Sequence, residues 1–165
     1  MLTQSRLKEL LHYDHESGVF TRLQSKMTKL IGSHPGTIHK STGYIYISLE
    51  GINHLAHQLA FLYMTGSIPE EIDLINGIRT DVKWENLRPS TRKQNCLNQK
   101  MKSTNTSGFK GVHFVTEKKK WKATLANPIH GLQKIHVGFF DTPEKADAAL
   151  RAKREELHGA FANHG

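Results

Sequence analysis

The sequence predicts an α+β fold in two modules: small antiparallel strands and helices first, then a three-stranded antiparallel sheet packed on one helix. Three observations carry this expectation. Residues 72–95 (IDLINGIRTDVKWENLRPSTRKQN) read as a short strand ending in Asp73, an Asn76-Gly77 turn, a polar loop, and a helix starting near Trp84. Residues 109–157 hold three short strand-like runs and then a well-capped helical stretch. Between them, residues 97–108 (LNQKMKSTNTSG) lose all apolar periodicity and read as a linker. The expected organisation is one module over 1–96, a linker over 97–108 and a second module over 109–165.

Taken in order, Thr3 caps a first helix in which Arg6, Leu7, Leu10 and Leu11 follow at helical spacing. His12, Tyr13 and Asp14 lead out of it, and His15-Glu16-Ser17-Gly18 forms a turn. Val19 to Arg22 reads as a strand, and 23–35 as a loop. Thr37–His39 and Tyr44–Leu49 read as two strands, with Ile45, Ile47 and Leu49 alternating against Tyr44, Tyr46 and Ser48. Glu50-Gly51-Ile52-Asn53 is a turn before a helix over about 54–65, stopped by Gly66. In the second module the strands are Phe109–Val115, Lys120–Ala126 and Ile135–Phe140. Alternation sends Trp121, Ala123 and Leu125 to the helix side, as it does Ile135, Val137 and Phe139, with His136 and Phe140 opposed. Thr142 as N-cap, Pro143 and Glu144 start the last helix, whose inner stripe is Ala146, Ala149, Leu150, the stem of Lys153 and Leu157. Gly159 ends it.

The formal net charge is +8, and it is uneven: residues 1–95 carry 11 Lys and Arg against 9 Asp and Glu, and residues 96–165 carry 12 against 6. A localised basic excess favours a polyanionic partner or, more plainly, a solvated basic surface. The single cysteine, Cys96, excludes an internal disulfide framework and multi-cysteine zinc sites, and reads as a small packed residue. The N-terminus lacks the uncharged apolar core of a signal peptide, and no run approaches the length of a membrane span, so a soluble cytoplasmic protein is expected.

The segment LAHQLAFLYMTGSIPEEIDLINGIRTDVKWENLRPSTRKQN resembles the HNH homing endonucleases of phages, with their ββα-metal nuclease module. NTSGFKGVHFVTEKKKWKATL, with KIHVGFFDTPEKADAAL after it, looks like an AP2-type DNA-binding domain. The resemblance implies metal-dependent phosphodiester hydrolysis using one divalent cation, Mg²⁺ or Mn²⁺. It places metal ligation at Asp73 and Asn95, a loop-bracing asparagine at Asn86, and the general-base histidine at position 74, where this chain has Leu74. Ile78 and Val82 also stand where the family is commonly polar. Leucine accepts no proton, and losing general-base help costs about 100- to 10,000-fold in rate. His54 and His57, about one helical turn apart, read as structural residues rather than a substitute base or zinc pair.

Double-stranded DNA is the expected partner, with no membrane role. Arg79, Lys83, Arg88, Arg92 and Lys93 surround the loop as phosphate contacts, and Lys110, His113, Lys122, Thr124, Lys134 and His136 are expected on the exposed face of the second sheet. Lys118, Lys119 and Lys120 read equally as phosphate contacts or a solvated turn. Three functions remain open: a metal-dependent endonuclease with an impaired base; a catalytically inactive DNA-binding regulator, decoy or protein inhibitor on the same scaffold; and a protein-binding surface with Leu74 and Ile78 exposed.

Overall fold

The computed structural model describes residues 2–101, 103–127 and 133–165; Lys102 of the expected linker lies outside them. They form two compact units, Met1–Ser90 and Thr91–Gly165. The division falls six residues before the boundary expected at 96, because Leu97 and Asn98 are buried and Asn98 is tied to Asn163 of the second unit at 2.8 and 3.0 Å.

In the first unit, α1 (Gln4–Leu10) is capped by Thr3, whose Oγ1 accepts from the Arg6 amide at 3.2 Å. The residues expected to lead out of it form a strand, β1 (Leu11–Asp14), antiparallel to β2 (Val19–Arg22). Tyr13 and Phe20 face each other across this pair with ring centroids 4.6 Å apart. A three-stranded sheet follows in the order β3 (Thr37–Ile38), β4 (Ile45–Leu49), β5 (Ile52–Leu55). Ile52 and Asn53 therefore belong to a strand; the turn is Glu50-Gly51, both at positive φ. Helix α2 (Ala56–Thr65) ends at Gly66 in the left-handed conformation, φ +81°. The core gathers Leu7, Leu11, Ile47 and Leu59, all essentially inaccessible, with Leu74 and Val82 packed into the same cluster.

The stretch 72–90 departs from expectation. β6 (Glu71–Leu74) pairs with a second strand, β7 (Leu87–Ser90), preceded by a single 3-10 turn at Trp84–Asn86. No helix begins at Trp84, because Pro89 lacks the amide a helix interior needs and is tolerated on an unpaired edge of a two-stranded ribbon.

The second unit opens with α3 (Arg92–Leu97), fixed by a reciprocal capping box between Thr91 and Gln94. Its sheet has the order β10 (Lys134–Phe140), β9 (Lys120–Ala126), β8 (Val112–Val115), all antiparallel, with α4 (Pro143–His158) packed on one face. β8 starts three residues later than expected: Gly111 is at φ +86° and a methyl there would lie 2.3 Å from the Thr124 carbonyl. A bulge between His136 and Gly138 reverses the end of β10, so Phe140 joins the core and Phe139 lies opposite Lys122 on the other face. The inner stripe of α4 is also shifted: Ala146, Asp147, Leu150, Arg154 and His158 are buried. The two basic groups there are hydrogen-bonded locally, Arg154 donating to the Lys110 carbonyl at 2.8 Å and His158 to the Ala126 carbonyl at 2.7 Å.

In the first unit the β1–β2 turn closes against the backbone before β7. The Tyr13 hydroxyl donates to the Val82 carbonyl at 2.6 Å and the Trp84 amide to the His15 carbonyl at 3.0 Å. Gly18, at φ +76°, leaves no room for a side chain: a methyl would sit 2.6 Å from the Lys83 amide nitrogen. Gly18→Ala is expected to lower the unfolding free energy by about 2–4 kcal/mol through strain and overpacking. Urea denaturation measures this, and a loss under about 0.5 kcal/mol, the range of an ordinary surface change, would mean that the turn and the loop separate freely.

Candidate functional site

β6 is buried along Ile72, Asp73 and Leu74 rather than on alternate residues, so a carboxylate enters the interior between two apolar side chains. Asp73 is 2 % exposed. Register supplies its countercharge: Arg88 is its cross-strand partner on β7, and Arg88 Nε and Nη2 both donate to Asp73 Oδ2, at 2.7 and 2.5 Å.

The connector from 75 to 86 is organised by Asn86, which is 7 % exposed. Its backbone carbonyl accepts from the Ile75 amide at 2.9 Å, its side-chain oxygen accepts from the Asn76 amide at 2.9 Å, and its Nδ2 donates to the Asp81 carbonyl at 2.8 Å. Asn76 closes the loop from the other end, with Nδ2 donating to Asp81 Oδ2 at 2.7 Å and Oδ1 accepting from the Ile78 amide at 2.8 Å. One asparagine thus ties both ends of a twelve-residue hairpin loop.

Leu74 and Val82 are core residues at 6 % and 3 % exposure, so the idea of Leu74 as an exposed apolar contact is corrected; Ile75 and Ile78 are the exposed apolar residues of this loop. Arg79 is exposed and reaches across to the neighbouring sheet. Its Nη1 donates to the Thr42 carbonyl at 2.7 Å and its guanidinium lies 5.1 Å over the Tyr44 ring. The far side of this arrangement is His57, whose ring centroid is 5.1 Å from that of Tyr44. Burial pushes the His57 imidazole down to about 4, so it is neutral at pH 7 and a weak base. His54 lies in β5 opposite Ile47, not on the helix, so the two histidines do not share a helical turn.

Of the expected ligand pair, Asp73 is in the first unit and Asn95, on α3, in the second. Among the described residues, no group of three or more His, Cys, Asp or Glu is assembled as a metal site. A divalent cation of the hard class requires several oxygen ligands, and the oxygen Asp73 presents to β7 is taken by a guanidinium. The surroundings of Asp73 fit a buried ion pair and not a divalent cation.

The expected DNA contacts divide. His113, Lys120, Lys122, Thr124, Lys134 and His136 share the face of the β8–β10 sheet opposite α4, by their register. Lys120 also makes an exposed ion pair with Asp141 at 3.3 Å. Arg92 and Lys93 are exposed in the first turn of α3, and Lys83 is half-buried beside Gly18. Lys110 is elsewhere: its ammonium donates to the carbonyls of Leu97, Gln99 and Asn163, and burial, with Arg154 nearby, pushes it down to about 8. Arg88 serves Asp73. Residues that the sequence did not single out are Tyr13, Arg154, His158 and Phe139; only Tyr13 left a trace, in the alternation of Leu11 and Tyr13 with His12 and Asp14.

Removing one member of a buried ion pair strands the other. Asp73→Asn or Arg88→Met alone is expected to cost about 3–5 kcal/mol, and the double variant distinctly less than the sum. A double-mutant cycle by urea denaturation tests this, and strictly additive losses would refute the pair as a unit. The His57 shift has its own signature. Its folded value of about 4 lies below the ordinary 6.5, so the unfolded chain takes up the proton first. Stability is full above pH 6.5 and is lost progressively as pH falls toward 4, by about 3 kcal/mol. His57→Phe is expected to flatten that part of the profile, and an unchanged slope would place the titration elsewhere.

Comparison with known proteins places these elements. A family model described as HNH endonuclease matches residues 54–97, a segment running from β5 through α2 and the β6–β7 hairpin to α3. Protein 3.8 of Escherichia phage T7 is 35 % identical over 99 residues, which are 59 % of this chain and 78 % of that protein. No helix among the described residues is long and apolar enough to cross a membrane. With the match over its central hairpin and a phage relative along most of that relative's length, the chain belongs to the HNH endonuclease family as a nuclease-related member.

Proposed function

We propose that this chain binds double-stranded DNA on an HNH scaffold whose phosphodiester-cleaving step is impaired. One observation carries the reading: Leu74 is packed in the core at the expected base position, and the adjacent Asp73 carboxylate is held by Arg88. Hydrolysis needs a group that takes a proton from the attacking water. A leucine side chain takes none. His57 is buried under Tyr44 and too weakly basic at pH 7 to take its place.

DNA binding is assigned to both units. In the second, an AP2-like role is supported by a three-stranded sheet whose helix-free face carries His113, Lys120, Lys122, Lys134 and His136. A sheet can enter the major groove, with lysines on phosphates fixing its register. Lysine and histidine replace the arginine fork, so bidentate reading of guanine is weaker than in an arginine-bearing sheet. The second reading, a regulator, decoy or inhibitor that does not cleave at all, is favoured by the same leucine and differs only in residual activity.

Supercoiled plasmid with Mg²⁺ or Mn²⁺ separates these outcomes. The native chain is expected to nick only slightly faster than an EDTA control, a rate equal to that control marking the non-cleaving reading, and a folded Leu74→His variant, checked by circular dichroism, to exceed the native chain. Robust metal-dependent nicking by the native chain would sink the proposal. In the same preparation, affinity for a duplex is expected to fall by roughly 100-fold between about 50 and about 200 mM salt, as released counterions require. Salt-independent or absent binding would remove DNA as the partner.

A further inference from the structure

The bulge in β10 changes what the helix-free face presents. Strict alternation sends Phe139 inward with Ile135 and Val137. The register shift between His136 and Gly138 instead sets Phe139 opposite Lys122 and sends Phe140 into the core with Ala123 and Leu125. A row then crosses the sheet from His113 on β8 through Lys122 on β9 to Phe139 on β10, with Thr124 and His136 as the next pair. Phe139 is half-buried and stands outside the core cluster under α4. Its ring is held from two sides: the Lys118 ammonium lies 4.0 Å from its centroid and the His136 ring 4.7 Å. An aromatic ring with two torsions, fixed beside Lys118 and His136 on a face whose other apolar members are only the smaller Val115 and Ala126, is organised before anything binds.

We infer that Phe139 is a specificity-determining residue of this face, contacting the 5-methyl group of thymine in the major groove of double-stranded DNA. The assignment rests on the DNA-binding reading above. Its occupant follows from charge: residues 96–165 hold a net +6, Lys118 lies over the ring, Lys122 stands across from it, and Lys120 and Lys134 share the face. Lysines and histidines offer hydrogen bonds and charge, which serve phosphates and the acceptor edges of guanine. The methyl group of thymine is the one apolar feature of the major-groove edge, and only an apolar side chain reads it. Phe139 supplies that contact at the β10 end of the row, beside Lys122 at its centre.

The test uses the full chain and a duplex selected by it from a randomised pool. Each thymine of the selected duplex is replaced in turn by deoxyuridine, which removes the methyl group and leaves pairing intact. At one or two positions, affinity of the native chain is expected to fall roughly three- to tenfold. Phe139→Ala is expected to bind the thymine and deoxyuridine duplexes equally, and Phe139→Leu to keep part of the difference. Should Phe139→Ala unfold, the deoxyuridine series on the native chain and on Phe139→Leu decides alone. Indifference of the native chain to every deoxyuridine would overturn the assignment, as would full discrimination retained by Phe139→Ala. Failure of the native chain to bind any duplex would instead defeat the DNA-binding reading beneath it.

Discussion

The buried pairing of Asp73 with Arg88 is the constraint around which the central hairpin is arranged. A carboxylate at 2 % exposure must be neutralised or hydrogen-bonded, since removing a lone charge from water costs several kcal/mol. Antiparallel register brings a guanidinium directly across from it. The pair therefore fixes which residues of 87–90 face which residues of 71–74, and a slip by one position would bury Asp73 against an apolar neighbour. With that register set, Asn86 falls at the loop exit, where its side chain reaches Asn76 and Asp81 together.

The same arrangement separates scaffold from chemistry. Leu74 extends the core laid down by Leu59 and Ile47, and Val82 seals the loop beneath the Tyr13 hydroxyl bond. Leu74 and Val82 strengthen the hairpin as a packed element, and neither side chain polarises water. Arg79, stacked on Tyr44 and bonded to Thr42, anchors the loop to the β3–β4 turn. The loop is tied at both ends by Asn86 and Asn76, and Arg92, Lys93, Lys120 and Lys134 are among the exposed cations of the second unit.

Much of the fold was legible because local rules agree with it. Thr3 and Thr142 cap helices where they stand, Gly66 ends one, and the runs in the second unit pair as three antiparallel strands against a single helix. The errors have physical causes. Trp84–Leu87 has helical composition and predicts a helix where the chain enters β7, and Pro89 is the local signal against it. Thr91 and Gln94 spelled out a capping box that marks the true helix start. In α4, Leu157 packs on the core as its spacing predicts, but Arg154 and His158 are buried as well, because carbonyls of Lys110 and Ala126 accept from them. Such acceptors have no trace in the sequence of the helix itself.

By itself, the sequence determined the order of elements, the basic excess of its second half, and the identity of the residue at position 74, which fixes that no proton acceptor stands there. Tertiary structure alone decided which group meets which. It gave Asp73 to Arg88, turned Lys110 onto three carbonyls and brought Phe139 to the open face through one extra residue in β10. The reason is common to all three. The partner of a buried charge and the face of a strand residue depend on register across strands and on backbone groups far along the chain, and periodicity within a segment carries information about neither.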